Sequence, residues 1–443
     1  MSVTARIAEL AAIGQPRRYG QVSKVVGLSV TVSGLSCRIG ELIELGGDAS
    51  TDGAPTMAEV VAVDGPVATC LPLGELNGIG TGVTATSTGA PLRMRVGAGL
   101  RGRVLDGLGR PLDGSKLPAG LTEVTVEQPP PPAMLRLPVD RPLSVGVRAI
   151  DTLTPVGRGQ RLGIFAGSGV GKSSLLSMIT RGTSAQLTVV ALIGERGREV
   201  REFLDKDLGA EGLRNAVVVV ATSDQPPMVR LRAAFVATRI AEWFRDAGQD
   251  VLLLMDSVTR LATAQREIGL SAGEPPASRG YPPSVFAMMP RLLERAGGGQ
   301  AGTITGLYTV LVEGEDHNEP VADTARSILD GHIVLDRRLA TAGHFPSIEV
   351  LDSVSRVSSS VTRPDQQQLA RQIRQLLAAR RDVKELVEIG AYVSGTNARA
   401  DRALALWPAL EAFLQQDMAE RSTAESAWAD LATVLASIPA VAA

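Results

Sequence analysis

The residues Ala166-Gly167-Ser168-Gly169-Val170-Gly171-Lys172-Ser173, with Ser174 behind them, have the spacing of a loop that cradles phosphate. Glycines let backbone N–H groups turn inward around phosphate oxygens, and a following helix N-terminus adds partial positive charge. Lys172 then reaches the β- and γ-phosphates, and the Ser173 hydroxyl ligates Mg²⁺. The strict pattern opens with glycine. Ala166 stands there instead, and that position needs only a small residue. The expected ligand is a nucleoside triphosphate.

Phosphoryl transfer to water also needs a metal holder, a group that orients the water, and positive charge for the transition state. Asp256 closes the apolar run 251–255, where it can hold Mg²⁺ through water. Glu195 follows the apolar run 187–193, with Arg196, Arg198 and Glu199 close behind. It either polarises an attacking water at a strand end or belongs to an exposed charged loop of surface ion pairs. Arg356 lies far along the chain. An arginine fork suits a γ-phosphate, although the pattern alone equally describes a surface arginine. His317, His332 and His344 are scattered without zinc-type spacing and read as structural.

These groups need elements to position them. An apolar strand over 162–165 leads into the loop, and a helix follows with Leu175, Leu176, Met178 and Ile179 on one side. Runs at 187–193, 216–221 and 251–255 are short and unbroken, as buried parallel strands are. Helical patterns at 229–245 and 258–268 separate them. From Arg93 onward strands and helices are expected to alternate, giving an α/β fold with a mainly parallel sheet. Before it, 19–92 reads as short strands and Gly-rich turns, a small β-barrel or sandwich. There Val26, Leu28, Val30 and Val32 alternate with Gly27, Ser29 and Thr31 as one strand does. Turns are expected at Gly46-Gly47, Asp64-Gly65 and Asn77-Gly78. Pro129 to Pro132 reads as a stiff crossing strap. Beyond Pro364 the chain turns helical, with a stripe of Leu369, Ile373, Leu376 and Leu377, another over 404–414, and a last helix over 425–435. Residues 1–13 carry Val3, Ile7, Leu10 and Ala11 at helical spacing. So short a helix either packs on its own protein or docks on a partner.

The 443 residues suffice for about two or three domains. A formal net charge of -2 gives no sign of a basic surface overall, and 3% aromatic content gives little support for binding single strands by stacking. No nucleic-acid partner is expected. Cys37 and Cys70 suit a reducing compartment, as buried thiols or, alternatively, one disulfide. No run approaches the roughly 18 apolar residues of a membrane span, and no secretory leader opens the chain, so a cytoplasmic location is expected.

Together these motifs resemble a family: the catalytic subunits of rotary-type hexameric ATPases, and among them the flagellum-specific export ATPases and related type III secretion ATPases. The resemblance rests on GRVLDGLGRP at 102–111, GVRAID at 146–151, the phosphate loop and Gly194-Glu195-Arg196. Further on, SRGYPPSVF at 278–286, PRLLERAG at 290–297, NEPVAD at 318–323 and SILDGHIVL at 327–335 follow in the same order. It covers roughly 17–414.

The resemblance implies a RecA-like ATPase core at 93–363, a β-barrel for oligomerisation at 19–92, a C-terminal helical domain at 364–443, and a partner-binding segment at 1–18. It makes Glu195 the water-orienting carboxylate and places Arg196, Glu199 and Arg260 around the γ-phosphate and metal. It makes Arg356 an arginine finger inserted by the neighbouring subunit, and Phe345 the aromatic face against which adenine packs. It implies ATP and Mg²⁺, a homohexamer, and a central coiled-coil stalk gripped by the loop 269–283. It also implies a stator-like regulatory protein at the N-terminal segment, a membrane export gate, and export substrates with their chaperones. The enzyme would be cytoplasmic and peripherally attached to the inner membrane through the export apparatus. At 390–399 the outline is kept, but Asn397-Ala398 replaces the usual acidic–Pro pair. The stretch after Gln415 matches nothing in the family pattern.

The leading expectation is a Mg²⁺-dependent ATPase energising export of flagellar proteins. Beside it stand a virulence-type secretion ATPase and a proton-driven synthase subunit; the latter lacks support because the acidic helix–turn segment of that catalytic subunit is missing. A hexameric RNA translocase would show RNA-stimulated hydrolysis. A non-catalytic nucleotide-binding ring subunit would lack the Glu195 carboxylate.

Overall fold

The computed structural model describes residues 18–47, 54–312 and 319–437. The expected helix at 1–13, His317 and part of the segment 318–323 lie outside the described residues.

Six antiparallel strands close a barrel in the order Tyr19–Val26, Ser29–Ser33, Val67–Pro72, Thr56–Asp64, Glu41–Leu45 and Thr84–Pro91, the last pairing back to the first. Closure removes the exposed edges that a small sheet otherwise presents. Val22, Val30, Val32, Ile43, Leu45 and Val60 fill its interior. The alternation read through 26–32 is not one strand. Gly27 adopts a left-handed φ of 57° and turns the chain with Leu28, so Val26 and Leu28 sit exposed at a hairpin tip while Val30 and Val32 point inward. A two-residue turn between valines preserves the period by coincidence. Cys37 and Cys70 are both free thiols, and burial pushes the Cys70 thiol up to about 12.

The regular alternation of strands and helices starts later than Arg93. Residues 93–147 form a two-stranded ribbon, Arg93–Val96 with Thr122–Thr125, the short strands Val104–Asp106 and Pro142–Leu143, two single 3-10 turns, and otherwise irregular chain. Glycines and prolines throughout this stretch disfavour longer elements. Pro129 to Pro132 has no regular structure. On either side of it, Gln128 bonds Glu242 and Arg136 bonds the carbonyls of Glu294 and Ala296, so it does strap across the fold.

From the helix Arg148–Leu153 onward the α/β layer is built on one large sheet. Its order is Ile348–Ser355, Gly331–Leu335, Arg161–Ala166, Thr303–Leu311, Asp250–Asp256, Leu187–Ile193, Ala216–Ala221 and Val104–Asp106. Every pair along this path is parallel except the edge pair Gly331–Leu335 with Ile348–Ser355. The unbroken apolar strands reflect burial on both faces. Leu187, Val189, Ala191 and Ile193 pack on one side with helices Pro227–Asp246 and Val258–Ser271. Val190 and Leu192 pack on the other, with helix Lys172–Gly182.

The same second face receives the C-terminal helices Pro364–Glu388, Ala398–Leu414 and Ala424–Ala436, through Ile373, Leu376, Leu406, Leu410 and Leu431. Asn397 starts the middle helix as its cap, its Oδ1 accepting from the N–H groups of Arg399 and Ala400 at 3.1 Å each. That caps orphan donors as an acidic residue would. The segment 269–283 is helical as far as Ser271 and only then becomes a loop, in which Arg279 adopts a left-handed φ of 48°.

Candidate active site

The strand Arg161–Ala166 sits inside the sheet, paired on both sides, so the loop that follows leaves from a rigid base. Gly169 and Gly171 take left-handed φ values of 76° and 86°, turning the chain into helix Lys172–Gly182. Val170 is buried, and its carbonyl accepts a 2.6 Å bond from the Ser347 hydroxyl. A Cβ on Gly171 would lie 3.2 Å from the Phe345 ring. Phe345 therefore lies directly against the phosphate loop, with 44% of its surface exposed. Both contacts come from one distant segment, which fixes the loop's shape from outside.

Lys172 opens the helix, and its ammonium meets two carboxylates. Nζ lies 2.5 Å from Asp256 Oδ1 and 3.5 Å from Glu195 Oε1. Asp256 ends its strand, is 4% exposed, and also accepts a 2.7 Å bond from the Thr309 hydroxyl. Glu195 reaches the same place because Leu192 is in register with Asp256, so both chains emerge at the carboxyl edge of the sheet. Burial pushes the Glu195 carboxyl up; Lys172 opposes that, and Asp256 adds to it. Gly194, at a φ of 71°, makes the turn, and a Cβ there would lie 2.9 Å from Arg260 Cβ. Arg260 is exposed and its stem packs on this turn.

Ser173, Ser174, Glu195, Glu199, Lys206 and Asp256 line one cavity of about 250 Å³ beside the loop. Arg196 is exposed at the start of helix Gly197–Glu202 and pairs with Glu199 at 3.5 Å. The cavity holds hydroxyl and carboxylate oxygens, the hard donors that Mg²⁺ takes. The described residues contain no group of three or more His, Cys, Asp or Glu placed to hold a metal by themselves. A magnesium site takes one or two protein oxygens together with substrate phosphates. Ser173 and Asp256 fit such a role, with Glu199 on the same wall.

Arg356 is not part of this cluster. Its strand Ile348–Ser355 runs antiparallel, with Ile348 level with Leu335 and Ser355 level with Gly331. Leu335 is level with Ala166, at the phosphate-loop end. The eight residues from Ile348 to Ser355 therefore carry Arg356 roughly 20 Å away, to the opposite edge of the sheet. There it is exposed, its N–H bonded to the Asp330 carbonyl at 3.0 Å.

The structure thus brings Lys172, Ser173, Glu195, Glu199 and Asp256 to one cavity, sets Phe345 against the loop, places Arg196 and Arg260 at its rim, and leaves Arg356 outside. Sequence reasoning missed Thr309, Ser347 and Lys206. Thr309 had one signal, a hydroxyl near the C-terminal end of an otherwise apolar strand. Ser347 had none, since its partner is a main-chain carbonyl.

Comparison with known proteins identifies the family. Residues 146–355 match the ATP synthase alpha/beta family, nucleotide-binding domain, and residues 362–433 match the T3SS EscN ATPase C-terminal domain. The flagellum-specific ATP synthase of Bacillus subtilis is 51% identical over 94% of this chain and 95% of its own length. The type 3 secretion system ATPase of Xanthomonas euvesicatoria is 48% identical over 94% of each chain. The structure of the assembled ATPase EscN from the type III secretion system of enteropathogenic E. coli superposes with a TM-score of 0.89 at 44% identity, covering 94% of this chain and all of that one. EscN has also been solved in complex with its central stalk EscO, with a TM-score of 0.86. A phosphate-loop core with a barrel before it and helices behind it, alike over nearly the whole length, makes this chain a member of the flagellum-specific and type III secretion ATPase family.

Proposed function

We propose that this chain hydrolyses MgATP as a homohexamer and energises the export of flagellar proteins. The observation that carries the reading is the Lys172 ammonium shared between Asp256 and Glu195 at the mouth of the phosphate loop. In this reading the loop 166–171 and Lys172 hold the triphosphate. Bound Mg²⁺, held by Ser173 and Asp256 with Glu199 nearby, supplies neutralisation of phosphate charge. Glu195 accepts the proton of the attacking water, and its raised affinity for protons suits that task. Arg196 and Arg260 border the γ-phosphate, and Phe345 packs against adenine.

Arg356 completes the site of a neighbouring chain. Its place at the far edge of the sheet supports this, because it lies too far away to serve its own loop. A heterologous contact, one chain's loop edge against the next chain's finger edge, generates a ring when the rotation closes. The barrel at 19–92 joins neighbours, and the helical part at 364–443 faces the export machinery. The segment 1–18 docks a stator-like regulatory protein. A central coiled-coil stalk is gripped at the pore by the loop that follows Ser271, as the complex of EscN with EscO supports. The ring works at the cytoplasmic face beneath a membrane export gate, where cargo and chaperones arrive. No helix among the described residues is long and apolar enough to cross a membrane, so attachment runs through those partners.

Specific ATPase activity measured against protein concentration, with mass determined alongside, tests the ring. Activity that rises with hexamer formation supports it; flat activity from a monomer overturns it. Removing the gene tests the pathway. Loss of filaments, restored by wild type and not by Glu195→Gln, supports flagellar export, whereas intact filaments with lost secretion of other proteins assign the chain to the virulence branch. That branch has its own support in the 48% identity of the Xanthomonas relative.

A further inference from the structure

The stretch beginning at Gln415, unplaced by sequence reading, falls within the C-terminal domain match at 362–433 and starts against the segment that carries Phe345. Gln416 is 5% exposed and joins three segments of chain. Its N–H donates to the Phe345 carbonyl at 2.9 Å. Its side-chain Oε1 accepts from the Arg148 N–H at 2.9 Å, while Nε2 donates to the Gly146 carbonyl at 2.9 Å and to the Glu420 carbonyl at 3.2 Å. A buried primary amide with both ends engaged is rigid, because losing any partner leaves a desolvated polar group behind.

Arg148 closes the same knot from the other side. Its guanidinium donates to the Phe413 carbonyl at 3.0 Å and to the Gln415 carbonyl, pairs with Glu420, and lies over the Phe413 ring. The next residue back from Phe345, His344, is buried and meets the Gln415 side chain at 3.4 Å. Apart from the Gln415 N–H, which donates to the Glu411 carbonyl at 2.9 Å, the polar contacts given for residues 415 and 416 fall on the segments 146–148 and 344–345 or within the turn 415–420. Phe345 itself is held by its main chain and presents its ring to Gly171 and to solvent.

We infer that Gln416, braced by Arg148, is a positioning residue for nucleotide-base binding: it fixes the Phe345 main chain so that the ring stands ready beside the phosphate loop. The inference rests on the reading that Phe345 packs against the base. It ties base affinity to the C-terminal helices, because Gln416 lies two residues beyond the end of helix Ala398–Leu414. A tilt of that helix and a displacement of the Phe345 ring are then one movement.

The test is a set of steady-state measurements on the full chain: wild type, Gln416→Ala, Phe345→Ala, the double variant, and Gln416→Glu. Inorganic tripolyphosphate, which has no base, serves as a competitive inhibitor. Gln416→Ala should raise the KM for ATP about tenfold, the scale of one lost aromatic contact, with kcat within about twofold of wild type. Inhibition by tripolyphosphate should stay at the wild-type level, which a merely structural collapse of the loop would not allow. In the Phe345→Ala background the Gln416→Ala effect should vanish, since the two act through one contact. Gln416→Glu keeps the acceptor for Arg148 but sets a second oxygen against the Gly146 and Glu420 carbonyls, so it should raise KM at least as far as Gln416→Ala; it carries the test if Gln416→Ala does not fold. An unchanged KM in Phe345→Ala alone overturns the base reading and this inference with it. A raised KM in Phe345→Ala, with Gln416→Ala unchanged, additive, or equally impaired toward tripolyphosphate, overturns the positioning role alone.

Discussion

Two clusters of buried charge lie in this α/β layer, and they are built on opposite plans. Behind the helix Pro227–Asp246, each buried carboxylate faces a guanidinium fork. Arg295 donates to both oxygens of Glu242 at 2.7 and 2.6 Å, and Arg232 grips both oxygens of Glu59 while also pairing with Glu127. Both guanidinium groups lie over the same Phe235 ring. At the phosphate loop, by contrast, two carboxylates share one ammonium, and the cluster opens into a cavity. The first cluster joins the barrel, through Glu59, to the sheet layer. The second leaves one carboxylate without a cation of its own, a charge that the Mg²⁺ accompanying a nucleotide would balance. Burial of charge alone does not mark a reactive site; unequal pairing beside an opening does.

The comparison breaks if the two clusters respond alike to mutation. The largest effect is expected in the paired cluster. Glu242→Ala, which strands the Arg295 guanidinium in a site where it is 1% exposed, should cost about 3–5 kcal/mol of stability in denaturant unfolding. A loss under about 1 kcal/mol would mean that the pair is not the buried anchor described. Glu195→Gln should do the reverse: kcat falls about a hundredfold or more, equivalent to roughly 2.7 kcal/mol in the barrier, while the unfolding midpoint stays near wild type. Turnover that survives this substitution would remove Glu195 from its role.

A smaller effect sharpens the comparison through pH. Burial and the Asp256 charge raise the Glu195 pKa above its ordinary value of 4.5. A carboxylate that accepts a proton must be ionised, so kcat/KM should fall as pH drops through that raised value, earlier than for an exposed glutamate. The acid limb should disappear from the residual activity of Glu195→Gln. A limb that persists unchanged belongs to another group.

Legibility in the sequence followed the range of the interactions. The phosphate loop, the strands Leu187–Ile193 and Ala216–Ala221, and the long helices were readable because period and capping are local properties. The hairpin at Gly27 was misread because a two-residue turn keeps the phase of the alternation. The late start of the α/β alternation was missed because conserving a sheet requires only that Val104–Asp106 join it, and three residues carry no period. Glu195 and Asp256 could be named from strand ends, but their shared ammonium depends on strand register. The role of Arg356 could be suggested only by resemblance; its distance from its own loop follows from one antiparallel edge strand, which no local pattern reveals. Gln416 left no signal, because apart from Glu420 its partners lie 71 to 270 residues away.

The central claim is that each site is built from two chains, and mixing tests it most directly. Lys172→Ala and Arg356→Ala chains, each inactive alone, would be combined, co-assembled into verified mixed rings, and assayed for ATP hydrolysis. An intact loop from the Arg356→Ala chain then meets an intact finger from the Lys172→Ala chain at about a quarter of the interfaces under random assortment. Activity should be recovered on that scale. Mixed rings as inactive as the parents would contradict it and return Arg356 to the surface of its own chain.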